Sequence, residues 1–452
     1  MSAAYIIFIV ILGVSLLLLM VLKFKLSAFF SLLITSIFVG ILAGMPLSSI
    51  TGSIQKGMGD TLGFIAVIVG LGAIFGQMLE SSGGAKALAQ YLVRKFGQDK
   101  ASWALMLSGF MIGIPVFLDV GFIILIPIVY ALSRNTGRSL LYYAIPLLAG
   151  LAVTHTMVPP TPGPVAVANI LGVEIGLVIL FGLIIGLPVA IVAGPLFGRF
   201  IARKIFVPAP PEINHTDAED DHAGQRSPSF GLIFLIILTP ILLILISTFV
   251  GFGLNKGILA GSIVTDFIVF IGHPFTALII ATLCSILLCL KLKMPGQKIL
   301  DLSTKALGPA GIIILVTGAG GVLKQILVDS GIGEMLAESL SGTSVPLVLL
   351  AWILAAVVRI TQGSATVAMI TSAGIIAPLL PLFNLGQPDV AIIVISIAAG
   401  ATILSHVNDS GFWIVSKYLG MNEKQTLQSW TMMETIIAVT GLILCLLLSF
   451  IF

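Results

Sequence analysis

The chain is 452 residues long, 58% hydrophobic and only 9% charged, with a formal net charge of +3. Soluble domains carry roughly one charged residue in four, so a water-soluble fold is excluded. Lys and Arg stand singly or in pairs between apolar runs, which excludes a basic nucleic-acid-binding face. Cys284, Cys289 and Cys445 fall inside apolar runs without metal-ligand spacing and read as small core residues.

A spanning helix needs roughly 20 mostly apolar residues. Such runs recur at 3–22, 27–44, 61–79, 140–171, 177–201, 231–251, 276–292, 308–328, 390–415 and 431–452. The first has no Lys or Arg before it and is followed by Lys23 and Lys25, which suits a retained helix with its N-terminus outside rather than a signal peptide. Residues 102–133 and 345–382 each hold two short helices, interrupted by Pro115 and Gly121 in one and by Gly363 in the other, and read as re-entrant hairpins. A polar linker, 206–229, separates an N-terminal repeat, 1–205, from a C-terminal repeat, 230–452. Its acidic cluster, Asp217, Glu219, Asp220 and Asp221 with His215 and His222, reads as solvated charge rather than a cation site.

The repeat is visible in the sequence. Gly70-Leu-Gly-Ala-Ile-Phe-Gly-Gln77 faces Gly318-Ala-Gly-Gly-Val-Leu-Lys-Gln325, and the register continues without a gap through Ser82/Ser330 and Gly83/Gly331. Lys86, Arg94, Lys95 and Lys100 follow the first copy, whereas Asp329, Glu334 and Glu338 follow the second, so the positive-inside rule points the copies in opposite directions. The expected fold is an all-α polytopic membrane protein. It has two inverted-topology repeats, about ten crossing helices, two hairpins and two broken helices (140–171 and 390–415). Both termini are expected on the outer side of the membrane, with 252–274 an insertion that makes no net crossing. Inverted repeats with interrupted helices point to a secondary transporter whose site lies near the midplane.

Irregular backbone inside a bilayer must be buried in protein or line a wet cavity. Four such stretches mark the expected site: 113–121, 154–164, 361–366 and 405–411. They supply Thr154, His155, Thr156, Gln362, Gly363, Ser364, Thr366, His406, Asn408 and Ser410 as candidate solute contacts, with half-helix amides favouring an anion. Each hydroxyl can instead satisfy a neighbouring carbonyl, and each histidine can donate to the backbone. Arg359 calls for a counter-ion, either a solute carboxylate or a fixed aspartate. Asp119 and Asp409 are candidates both for carrying a proton and for capping a broken helix. Glu80, Lys324, Glu434 and Asp266 read as interfacial charges. His155 and His406, at an offset near 251, are expected to correspond.

The chain also resembles the gluconate:proton symporter family of bacterial inner membranes, whose relatives carry gluconate, other sugar acids or D-serine. The resemblance rests on Lys56-Gly-Met-Gly-Asp-Thr-Leu-Gly-Phe64, Val158-Pro-Pro160, Ile271-Gly-His-Pro-Phe275, Gly318-Ala-Gly-Gly321, Gln362-Gly-Ser-Ala-Thr-Val-Ala368 and Ser405-His-Val-Asn-Asp-Ser-Gly-Phe-Trp413. It implies an ion-transporter fold, commonly a homodimer with a moving transport domain. The implied activity is proton-coupled uptake of a small organic anion, with no bound cofactor. The sodium-coupled dicarboxylate relatives place Ser-Asn-Thr at the hairpin tips, whereas this sequence has Leu118-Asp-Val120 and Gly363-Ser-Ala-Thr366, which favours protons over sodium. D-serine or glycerate symport is the alternative within the family. A passive channel and an intramembrane hydrolase are the alternatives outside it, and the chain has neither an HExxH nor a nucleophile elbow.

Overall fold

The computed structural model describes residues 3–210, 228–332, 346–383 and 385–451. The acidic cluster of the linker, Glu334 and Glu338 lie outside the described residues. Within them the regular structure is helical throughout, as a bilayer demands of a chain whose backbone amides find no water to bond.

The first half runs through α1 (Ala3–Leu22), α2 (Ala28–Leu42), α3 (Leu47–Ser81), α4 (Gly84–Phe96), α5 (Ala101–Ile112), α6 (Leu118–Thr136), α7 (Leu141–Met157) and α8 (Pro162–Leu171). It closes with α9 (Ile175–Ile191), a π turn (Val192–Leu196) and α10 (Phe197–Lys204). The second half holds α11 (Phe230–Asn255), α12 (Ile263–Gly272), α13 (Pro274–Lys291), α14 (Gly296–Asp329), α15 (Leu347–Gln362), α16 (Ala365–Ile376), α17 (Gln387–Gly400) and α18 (Ser410–Leu419). It ends with α19 (Glu423–Thr426), a π turn (Leu427–Thr431) and α20 (Met432–Ser449).

Among the described residues the elements of the two halves follow a similar order, with α12 as an extra piece and the place equivalent to α4 outside the described residues. The longest helices, α3 and α14 at 35 and 34 residues, occupy equivalent places, and each is followed by a left-handed glycine, Gly83 and Gly331, at φ 71°. They pack along each other and are tied by Ser53 Oγ donating to Asp329 Oδ2 at 2.5 Å. In the two halves α7 lies against α5 and α17 against α15. A Cβ on Gly150 would overlap the Met106 carbonyl, and one on Gly400 the Trp352 carbonyl, so both contacts bring backbone against backbone. Such close approach is how helices associate where no hydrophobic force separates them from lipid.

Among the described residues eight helical segments are long and apolar enough to cross a membrane, against the ten expected. The difference has three sources. The run 3–22 enters only as Ile11–Val21 among the described residues, α2 has only 15 residues, and 390–415 is divided between α17 and α18. The expected spans 61–79 and 308–328 are kept as the apolar ends of α3 and α14, which run on as single helices through their more polar first halves and pack together. In turn α6, expected as a short hairpin limb, has 19 residues. The insertion at 252–274 contains α12, whose 10 residues are too few to cross and which packs on α11.

Three of the four interruptions are shorter than the sequence suggested, and the second broken helix opens earlier and over a longer stretch. The first hairpin turns at 113–117, so Gly121 is already helical in α6. The first broken helix opens only at 158–161, because a proline restricts the residue before it rather than the turn upstream. Val158, which precedes Pro159, is extended at φ −118° and ψ 114°, and Thr154, His155 and Thr156 remain in the last turn of α7. The second hairpin turns at Gly363 and Ser364, and the second broken helix is open over 401–409.

Candidate functional site

Both hairpin turns and the second helix break, together with the last turn of α7, meet around a cavity of about 250 Å³. Three helices begin at its wall. Leu118 and Asp119 open α6, Ala365 and Thr366 open α16, and Ser410 and Gly411 open α18. Each N-terminus presents amides without an intrahelical partner and a partial positive charge. The walls are completed by His155 and Thr156 from α7, Arg359 from α15, and Trp430 and Glu434 from the last helical segment.

Gly363 makes the second turn possible. It ends α15 in the left-handed region at φ 78°, and a Cβ there would overlap the Asn408 carbonyl. The chain therefore crosses directly over the second broken helix and is stitched to it. Asn408 Nδ2 donates to the Ile360 and Thr361 carbonyls at 3.0 and 3.3 Å, and His406 Nε2 lies 3.0 Å from Ile360 O. Arg359, 4% exposed, donates through Nη1 to the Gly363 carbonyl and through Nη2 to Asp409 Oδ2 at 2.5 Å.

Asp409 is fully engaged. Its Oδ2 also accepts from Ser405 Oγ at 2.5 Å, and its Oδ1 caps α18 by accepting from the Gly411 amide at 3.1 Å. Ser405 Oγ in turn accepts from Trp430 Nε1 at 2.7 Å, which fastens the final helical segment to the same cluster.

The structure brings Asp119, His155, Thr156, Arg359, Gly363, Ser364, Thr366, Asp409 and Ser410 to the cavity. Thr154, Gln362, His406 and Asn408 do not line it. Thr154 Oγ1 bonds back to Gly150 O at 3.0 Å, and both polar atoms of the Gln362 amide are buried without a partner among the described residues. His406 and Asn408 serve the stitch just described. The expected correspondence of the two histidines fails, because α7 is still helical at His155 whereas His406 lies in an open stretch. Arg359 finds a fixed aspartate as its counter-ion, the second of the two partners the sequence allowed.

Two charges read as interfacial are interior. Glu434 is 3% exposed and lines the cavity, and Lys324, half-buried, donates to the Ile170 carbonyl at 2.5 Å, near the C-terminus of α8. Trp430, which lines the cavity from the π turn, carries no signal in the sequence.

A second cavity, about 230 Å³, lies on the other side of the first hairpin turn between α3 and α14. Gln77, Glu80 and Lys305 contribute to its wall, and Gln77 Nε2 donates to Glu80 Oε2 at 3.1 Å. Phe117 belongs to both cavities, its ring edge-on to His155 with centroids 5.9 Å apart.

A helical bundle with eight candidate spans, interrupted helices and an interior polar cavity defines a polytopic membrane carrier. The chain belongs to the GntP permease family, whose profile matches residues 5–451. It is thus a transporter and not an enzyme. It is 41% identical over 433 residues to the low-affinity gluconate transporter of Escherichia coli K12, covering 95% of each chain. It is 40% identical to the gluconate permease of Bacillus subtilis 168, covering 98% of each. To the Gnt-II system L-idonate transporter of E. coli K12 it is 38% identical, covering 95% of this chain and 96% of that one. Among solved structures the YdaH transporter of Alcanivorax borkumensis shares the fold, with a TM-score of 0.61, 16% identity and 86% coverage of both chains.

Proposed function

We propose that this permease carries gluconate or a similar small sugar acid across the inner membrane together with a proton. The observation that carries the reading is the meeting of three helix N-termini at one interior cavity. Their summed partial charges favour a small anion without supplying a free cation that would hold it too tightly to release. The hydroxyls of Thr156, Ser364, Thr366 and Ser410 add donors and acceptors suited to a polyhydroxy chain. Relatives named for gluconate and L-idonate, matched over nearly their whole lengths, support the choice of solute.

In this reading Arg359 orders the site more than it grips the solute. Its two terminal nitrogens hold the Gly363 carbonyl and Asp409, so the carboxylate is met mainly by the amides that open α16. Asp119 and Asp409 are the carboxylates that the sequence offers for the proton. Asp119 is exposed at the start of α6, whereas Asp409 is occupied as an ion-pair partner and cap.

The inverted sense of the repeats, periplasmic termini and a homodimer belong to the same proposal. Uptake of labelled gluconate into proteoliposomes tests it. Accumulation should follow an imposed pH gradient and be competed by unlabelled L-idonate. Accumulation that ignores the pH gradient and follows sodium overturns the coupling, and competition by D-serine or glycerate in place of sugar acids overturns the solute.

A further inference from the structure

Proton coupling requires a group that takes up a proton and surrenders it again. Glu434 is the buried carboxyl of the cavity that the rest of the site leaves unused. Its Oε1 has no hydrogen-bond partner among the described residues. It sits three residues past a π turn, an irregularity that recurs where helices serve a function. The charged and titratable groups that share its cavity are Arg359 from α15, Asp409 from the open stretch before α18, His155 from α7 and Asp119 from α6.

The charge count of that cluster decides the argument. Arg359 and Asp409 neutralise each other at 2.5 Å and leave no cation for Glu434. An ionised carboxylate buried without a partner is costly, and a second anion beside it costs more. Glu434 and a bound solute anion therefore cannot both stay charged in the closed cavity.

Building on the proton-coupled reading above, we propose that Glu434 is the side chain that carries the transported proton. On the outer face a Glu434 carboxylate oxygen takes a proton from water, forming an O–H bond, and the solute anion then enters beside the neutral acid. On the inner face the anion leaves and the O–H bond breaks, returning the proton to water. No bond in the solute is made or broken. Besides Asp119 at its exposed rim and the neutralised Arg359–Asp409 pair, the closed cavity holds one further negative charge at a time, the solute's or that of Glu434, and this exclusion is the coupling.

The test reconstitutes the full chain as wild type, Glu434→Gln and Glu434→Asp and follows labelled gluconate in two assays, accumulation driven by an alkaline interior and counterflow at equal pH. Wild type should accumulate about tenfold per pH unit for one proton per anion. Glu434→Gln should lose accumulation yet still show counterflow, because the amide mimics the protonated acid, and Glu434→Asp should recover part of the accumulation. A Glu434→Gln protein that accumulates like wild type overturns the assignment. One that loses both counterflow and gluconate binding also overturns it, marking a structural role. Wild type that ignores the pH gradient sinks the coupling itself, a result separable from either of these.

Discussion

Replacing Arg359 by Met keeps most of the side-chain volume and removes the guanidinium. The substitution deletes the bond to the Gly363 carbonyl and the pair with Asp409, whose side chain is 14% exposed. Breaking a buried ion pair from one side costs about 3–5 kcal/mol, because the remaining charge stays buried. Asp409 keeps its bonds from Ser405 and the Gly411 amide, so the low end, about 3 kcal/mol, is the better estimate. Adding Asp409→Asn removes the stranded charge and should return about 1–2 kcal/mol, a coupling typical of neighbouring residues. Unfolding of the two single variants, the double variant and wild type in the same detergent measures the cycle, and gluconate uptake should stay low in Arg359→Met and in the double. An Arg359→Met protein within about 0.5 kcal/mol of wild type, or strictly additive effects, would refute the reasoning.

Three further outcomes follow from the same geometry. Gly363→Ala adds a Cβ against the Asn408 carbonyl at φ 78° and should cost about 2–4 kcal/mol in detergent unfolding, with loss of uptake. Lys324→Met removes the cation that meets Ile170 O near the C-terminus of α8; stability should fall by about 1–2 kcal/mol, with the gluconate KM little changed in uptake assays. Asp119→Asn takes one negative charge from the cavity wall and should lower that KM by about threefold to tenfold, most visibly at low ionic strength.

Features with local causes were legible in the sequence. The proline run after Met157 ends α7, and Gly363 bends the chain where no other residue fits, so two of the four interruptions announce themselves. The residues of tertiary position were not. Glu434 looked interfacial because it stands near the start of the apolar run 431–452, yet the helical segment begins at Glu423 and carries it inside. Lys324 was misread for the same reason, since hydropathy shows where a run turns polar but not which neighbour meets the charge. The roles of His406 and Asn408 depend on a crossing between segments some 46 to 48 positions apart, which no local pattern encodes.

The stitch between the second hairpin turn and the second broken helix has a mechanical consequence. Arg359, Asn408, His406 and the tight crossing at Gly363 make these segments one rigid block, whereas the first hairpin turn is flanked by a cavity on either side. A transport cycle that moves the block as a unit would carry the contacts it supplies unaltered. A solute should then be held with nearly the same affinity from either face of the membrane, so that uptake and efflux half-saturate at similar concentrations.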